Sequence, residues 1–374
     1  MILLSSKIIN SCGSYLVEHI SFKGKDSKNK KIEFNKLNGG MLKKARSAVR
    51  HEFCMLCGKK VEGFCNSHCI PQVCLKNIDT DGKVGSVFSI IDNDIINNDK
   101  GVGNAGVFHN ICHDCDNTAF QTYENPQSYY SNIRNNNELL NQIALKNILR
   151  DIYKHEIELE YIKMMPSELY KKNGNHSAKM FAELLSRPIV SARRIDIEEC
   201  KNELKKCKDS ILTGNPWLRI VTCEQLDYCA PVAYQGMIAL NTGFNSEVIN
   251  DKYSYEMGYH IEYMHLAILP FEKRSIILLF LNKDNKRYDM FIKKMGQLSK
   301  TKQIQVINHI LFLYCEDYFI SKKISTKTLN KIKLLASAIE GPVSMNPTES
   351  LKQVISDYDL NNAWSQKNIL GIHC

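Results

Sequence analysis

Four cysteines stand in two pairs of one spacing, Cys54-Met-Leu-Cys57 and Cys112-His-Asp-Cys115. Two thiolates separated by two residues can turn toward one metal ion about 2.3 Å away, and Gly58 after the first pair supplies the permissive backbone such a turn wants. Two pairs in one domain point to a closed, structural zinc site made by Cys54, Cys57, Cys112 and Cys115. A thiol–disulfide redox role needs a thioredoxin-like βαβ context, which the surrounding sequence lacks. The remaining ten cysteines share no spacing and read as small buried thiols, although Cys65, Cys69 and Cys74 crowd the site and are alternative ligands.

Between the pairs lies Asn66-Ser67-His68-Cys69-Ile70-Pro71, and after them Asp116-Asn117-Thr118-Ala119-Phe120, then Tyr123-Glu124. This order over residues 50–126 resembles HNH endonucleases, in the branch that combines a His-x-Ile-Pro segment with a second C-x-x-C followed by Asp or Asn. The resemblance implies a treble-clef (ββα-metal) module that hydrolyses phosphodiester bonds in DNA. It implies His68 as general base on water. It also implies Asp116, beside Asn117, as holder of a catalytic Mg²⁺ or Mn²⁺, with Asn104 or Asn110 orienting the base. A hard cation and an activated water are what that chemistry needs. Family members of this kind often serve in defence against phage or plasmids.

The sequence departs from the pattern in three places. Ser67 stands where many active members carry Asp or Glu, Asp116 replaces the commoner His, and the middle Asn has no clean match, with Asn104 and Asn110 as candidates. A second reading is therefore a non-catalytic zinc module that binds nucleic acid or a protein partner, with His68 as a structural residue.

The elements around the motif set the rest of the expectation. The chain has 374 residues and a net charge of +9. Residues 1–60 hold 13 Lys or Arg against 4 Asp or Glu, so the basic excess precedes and enters the first cysteine pair. That placement suits a nucleic-acid backbone, DNA first, or else a solvated lysine-rich surface. The longest apolar run, Ser275–Leu281, is far short of the ~20 residues that span a bilayer, and no signal peptide is legible, so a cytoplasmic protein is expected.

Three parts are expected: a basic segment (1–50), the zinc module (51–126) and an α+β body (127–374), mostly helical with a short antiparallel sheet. The body is a candidate seat for homodimerisation or a regulatory partner. Short β-like stretches are expected at Ile2–Ile9 and Tyr15–Phe22, and Asn38 is placed to cap a helix over Met41–Arg50. Asn77–Gly106 reads as a loop with one apolar patch, Val87–Ile91. Leu140, Ile143, Leu145, Ile148, Leu149, Ile152 and Tyr153 recur at helical spacing behind Asn135–Asn137 as caps. Helices follow near His176–Leu185 and Ile197–Lys208. Strands are expected at Trp217–Cys223, Gly236–Leu240, Ile261–Leu269 and Ser275–Leu281, with Pro270 and Asn282–Asn285 marking turns. The tail reads as helices over Tyr288–Leu298, Ile304–Phe319, Thr326–Ile339 and Pro347–Asp357. Asp79-Thr-Asp81-Gly82, Asp92-Asn-Asp94 and the glycines of 101–106 are turns and loops, because they lack the register of a calcium loop or a phosphate cradle.

Overall fold

The computed structural model describes residues 27–86, 99–130, 133–174, 176–251, 258–315, 317–325, 327–328 and 359–372. The β-like stretches near the N-terminus, the patch Val87–Ile91 and nearly all of the two last expected helices lie outside these residues.

The protein is α+β. A basic helix, α1 (Ser27–Ala48), leads into the cysteine region. The motif region holds β1 (Ser67–His68), α2 (Gln72–Ile78), β2 (Lys83–Ser86), β3 (Asp99–Gly101), β4 (Val107–Phe108), α3 (His113–Ala119) and α4 (Gln121–Glu124). Two long helices follow, α5 (Asn137–Asn173) and α6 (His176–Thr213). Then come β5 (Leu218–Leu226), β6 (Val232–Ile238), β7 (Met264–Phe271), β8 (Arg274–Asn282), α7 (Asp289–Gln297), α8 (Lys300–Tyr314) and β9 (Phe319–Ile320).

The sheet is larger than a short body sheet. Seven antiparallel strands run in the order β3-β2-β9-β6-β7-β8-β5. The apolar run in β8 is continuous because this strand is covered on both faces, and successive side chains alternate between two cores. Ile277, Leu279 and Leu281 join α7 and α8 through Phe291, Met295, Ile307 and Leu311. Ile276, Leu278 and Phe280 join α5 and the cysteine region through Ile143, Leu149, Leu75 and Phe120. Helix α5 is thus pressed between the sheet and the motif region, and nearly every side chain from Leu139 to Ile152 is buried.

Several boundaries differ from the sequence reading, each for a physical reason. Asn38 lies inside α1 rather than at its start, and its side chain accepts a hydrogen bond from the Tyr161 hydroxyl. Of Asn135–Asn137, Asn136 is the cap of α5, its Oδ1 taking the amide of Leu139 at 3.0 Å. The two helices expected in 176–208 are one: Ile189 packs with Met41 and Ala45 of α1, and Cys200 and Leu204 pack in the core that α5 shares. Pro270 sits within β7, opposite Ser275, and the hairpin turns one step later at Glu272–Lys273. Phe319 leaves α8 and forms β9, where it bridges β2 to β6. Residues 83–86 and 99–101, read as loop, are the last two strands on one side of the body sheet, so the motif region and the body share hydrogen bonds.

Candidate functional site

The four cysteines converge. One sulfur from each of Cys54, Cys57, Cys112 and Cys115 lies within 4.8 Å of the others, and the Cys57 and Cys112 sulfurs are 3.9 Å apart. A tetrahedron with ~2.3 Å metal–sulfur bonds has edges of ~3.8 Å, so the spacing fits one ion such as zinc. The knuckle closes as a backbone turn: the Gly58 amide donates to the Cys54 carbonyl at 2.8 Å, and Gly58 has φ 69°. A residue with a Cβ is strained there.

Burial pushes the Cys112 and Cys115 thiols up; Cys112, Cys57 and Cys54 push Cys115 further, whereas at Cys112 the upward push of Cys54 is opposed by hydrogen bonds with Cys115. Burial works in the same direction on Cys54, but backbone amides of Cys57, Cys112 and Leu56 outweigh it and bring its pKa down to about 7. A divalent ion supplies the positive charge that four crowded thiolates need. From the body, Lys208 on α6 donates to the Met55 and Leu56 carbonyls at 2.7 and 3.1 Å, which fixes the first knuckle against the long helices. Cys65, Cys69 and Cys74 stand outside the cluster: the last two are buried thiols, and Cys65 Sγ donates to Asp116 Oδ2 at 3.2 Å.

Asp116 is occupied by a partner that motif reading missed. Lys146 of α5 is fully buried, with Nζ 2.7 Å from Asp116 Oδ1, 2.8 Å from Ser67 Oγ and 3.6 Å from Glu124 Oε1. Ser67 Oγ also donates to Asp116 Oδ1 at 2.6 Å. The ammonium lies 4.1 Å from the centre of the Phe120 ring, a cation–π contact. Burial alone would raise the Asp116 carboxyl, but Lys146, Ser67 and Cys65 hold it below the usual carboxylate range. An ammonium with a hydroxyl, two carboxylates and an aromatic face around it is a filled cation position. The donor set here does not fit an additional Mg²⁺ or Mn²⁺.

His68 leaves the strand on the other side. β1 and β4 form a two-residue antiparallel ribbon in which Ser67 faces Phe108 and His68 faces Val107. Consecutive strand side chains point oppositely, so Ser67 goes with Phe108 toward Lys146 while His68 does not. Burial lowers the His68 pKa, and Lys146 lowers it further against the opposing pull of the Val102 and Gly103 backbone and of Asp116. His68 Nε2 is buried without a hydrogen-bond partner among the described residues. Of the other candidates, Asn110 is turned inward, its Nδ2 donating to the Leu149 carbonyl at 2.8 Å. Asn117 is exposed on α3, and Asn104 is exposed at the rim of a cavity beside the ribbon. Tyr123 and Glu124 face the body: the Tyr123 hydroxyl donates to the Cys69 carbonyl at 2.8 Å, and its amide to Gln142 Oε1 at 2.7 Å.

That cavity holds about 500 Å³ between α1, the ribbon and α5. His109 lines it, with Nε2 2.8 Å from Asn66 Oδ1 and Nδ1 3.3 Å from the Tyr153 hydroxyl.

Lys146 has a setting whose signal the motif reading passed over. It sits within a stretch of α5 that is apolar on more than one side, at i+3 from Ile143 and i−3 from Leu149. A lysine there cannot reach water and must find a carboxylate.

Neither known protein families, nor curated proteins, nor solved structures give a match to this chain. The likeness to HNH endonucleases thus rests on the motif residues alone. No helix among the described residues is long and apolar enough to cross a membrane.

Proposed function

We propose that residues 51–126 form a zinc-stapled, HNH-like treble-clef module that binds DNA through its phosphate backbone without a divalent-metal step. The observation that carries this reading is the Lys146 ammonium at Asp116, where a hydrolytic metal would have to sit. The cysteine geometry supports zinc as the staple. Support for a polyanionic partner comes from Lys43, Arg46 and Arg50, all exposed on or just after α1, and from the cations that line the neighbouring cavity.

A second reading, a metal-dependent HNH endonuclease, is favoured by one observation: His68 Nε2 has no hydrogen-bond partner among the described residues and so keeps a lone pair available for a proton. Purified protein with plasmid DNA separates the two. Binding in a mobility-shift assay with the plasmid left intact under Mg²⁺ or Mn²⁺ is the expected result. Cleavage that disappears in both His68→Ala and Asp116→Ala would establish the endonuclease instead.

A further inference from the structure

The turn that closes the first cysteine knuckle also fixes an aromatic ring on its outside. The Cys54 amide donates to the Lys59 carbonyl at 2.9 Å, and the Val61 amide donates to the Glu52 carbonyl at 3.0 Å. Phe53 and Lys60 face each other between these two bonds and share neither. In such a non-hydrogen-bonded antiparallel pair the two side chains stand on one face and lie closer than in a bonded pair. Cys54 is the next residue along. Alternation turns its sulfur in toward the other three cysteines, where it is 2% exposed, and turns Phe53 out. Phe53 is 55% exposed, more than any other described Phe, Tyr or Trp.

A single exposed apolar side chain is ordinary on a protein surface, and it is the company of this one that sets it apart. Residues 43–60 hold six Lys or Arg against one acid, Glu52. Arg50, Lys59 and Lys60, the three of these nearest Phe53 in the chain, are all exposed. Lys60 Nζ lies 3.7 Å from Glu52 Oε2, with both side chains largely in water. A pair so open to solvent is worth little and can give way to a phosphate. The ring is thus held on a short, closed turn at the end of the basic surface that begins on α1. A flat aromatic face beside cations suits an unpaired base, which stacks on the ring while its phosphates meet the charges. A base inside a duplex cannot reach such a ring, because its faces are already stacked.

We propose that the first knuckle receives an unpaired base of single-stranded DNA, stacked on Phe53, with the adjoining phosphates at Lys59 and Lys60. This rests on the DNA-binding reading of residues 51–126. It sharpens that reading from a phosphate backbone to a strand with open bases.

Fluorescence anisotropy on the zinc-loaded full chain tests the proposal with a labelled oligothymidylate, alone and annealed to its complement. The single strand should bind tighter than the duplex. Phe53→Leu keeps apolar bulk but has no flat face. It should weaken the single strand about tenfold, the scale of one base–aromatic stack, and leave duplex affinity, zinc content and Tm as in the parent. Phe53→Tyr, which keeps the ring, should bind the single strand as the parent does. Single-strand affinity undiminished in Phe53→Leu, or an equal loss for strand and duplex, overturns the assignment. Duplex binding together with a single strand indifferent to Phe53 keeps the DNA reading and removes this inference. Binding of neither form removes both.

Discussion

The cysteine corner and the Asp116 corner of the motif region are both built to surround a positive charge, and they differ in where that charge comes from. At the first, four sulfurs within 4.8 Å of one another surround a position for a foreign ion. At the second, Ser67, Asp116 and Glu124 surround Lys146, which the chain supplies from α5. A foreign ion can be chelated or exchanged. A tethered ammonium cannot, and it joins the motif region to the body through a buried pair. The difference teaches that ligand-like residues at family spacing reveal where a cation belongs but not which cation occupies the place.

Removing the staple should have the largest effect. Structural zinc contributes roughly 10 kcal/mol or more in small zinc modules, so Cys54→Ser or strong chelation should unfold residues 51–126. Hydrogen exchange should show protection lost there first, while β6–β8 stay protected. Elemental analysis that finds no zinc in carefully purified protein would remove one half of the comparison.

Breaking the second corner should cost less and behave differently. Lys146→Met leaves the Asp116 carboxylate without its cation, a loss of about 3–5 kcal/mol for a buried pair. The double variant Lys146→Met/Asp116→Asn should recover most of that loss in denaturant unfolding, because no charge is then left unpaired. A single-variant cost below about 1 kcal/mol would mean that the pair is only a surface contact.

The same pair should be visible in the acid limb of stability. The Asp116 carboxyl is held below its ordinary value, so its contribution is fully present above the unfolded carboxylate pKa of about 3.9 and is lost as pH falls through the lower folded value. Asp116→Asn should remove that slope below about pH 4 and leave the profile above it unchanged. A wild-type profile superimposable on that of the variant would contradict the pairing.

The smallest expected effect concerns the surface. Lys44 is held by Glu168 at 2.9 Å, whereas no ion pair engages Lys43 or Arg46 among the described residues. Replacing Lys43 and Arg46 by Gln should lower the slope of log affinity for DNA against log salt by about 2. Adding Lys44→Gln should change it little further. A salt-independent affinity would make the basic segment a solvated surface.

What was legible in the sequence follows the range of the forces involved. The four cysteines were legible because a C-x-x-C knuckle is a local turn, and the strands of the body because Val, Ile and Leu runs are bounded by turn residues. Lys146 was not, because its burial depends on α5 docking against Phe108 and Phe120, which lie 38 and 26 positions earlier in the chain. β2 and β3 were read as loop for a similar reason: they are four and three residues long and exist as strands because β9, more than 200 residues later, pairs with β2. The single helix α6 read as two because its continuity comes from packing on α5 and α1 rather than from an unbroken stripe.

The central claim is that Lys146 fills the cation position at Asp116. Titration of the zinc-loaded full chain with Mn²⁺, followed by electron paramagnetic resonance, addresses it directly, with Asp116→Asn as the reference. The account predicts that wild type and Asp116→Asn bind Mn²⁺ equally weakly, with no stoichiometric site in either. One tightly bound Mn²⁺ per chain in wild type, lost in Asp116→Asn, would contradict it.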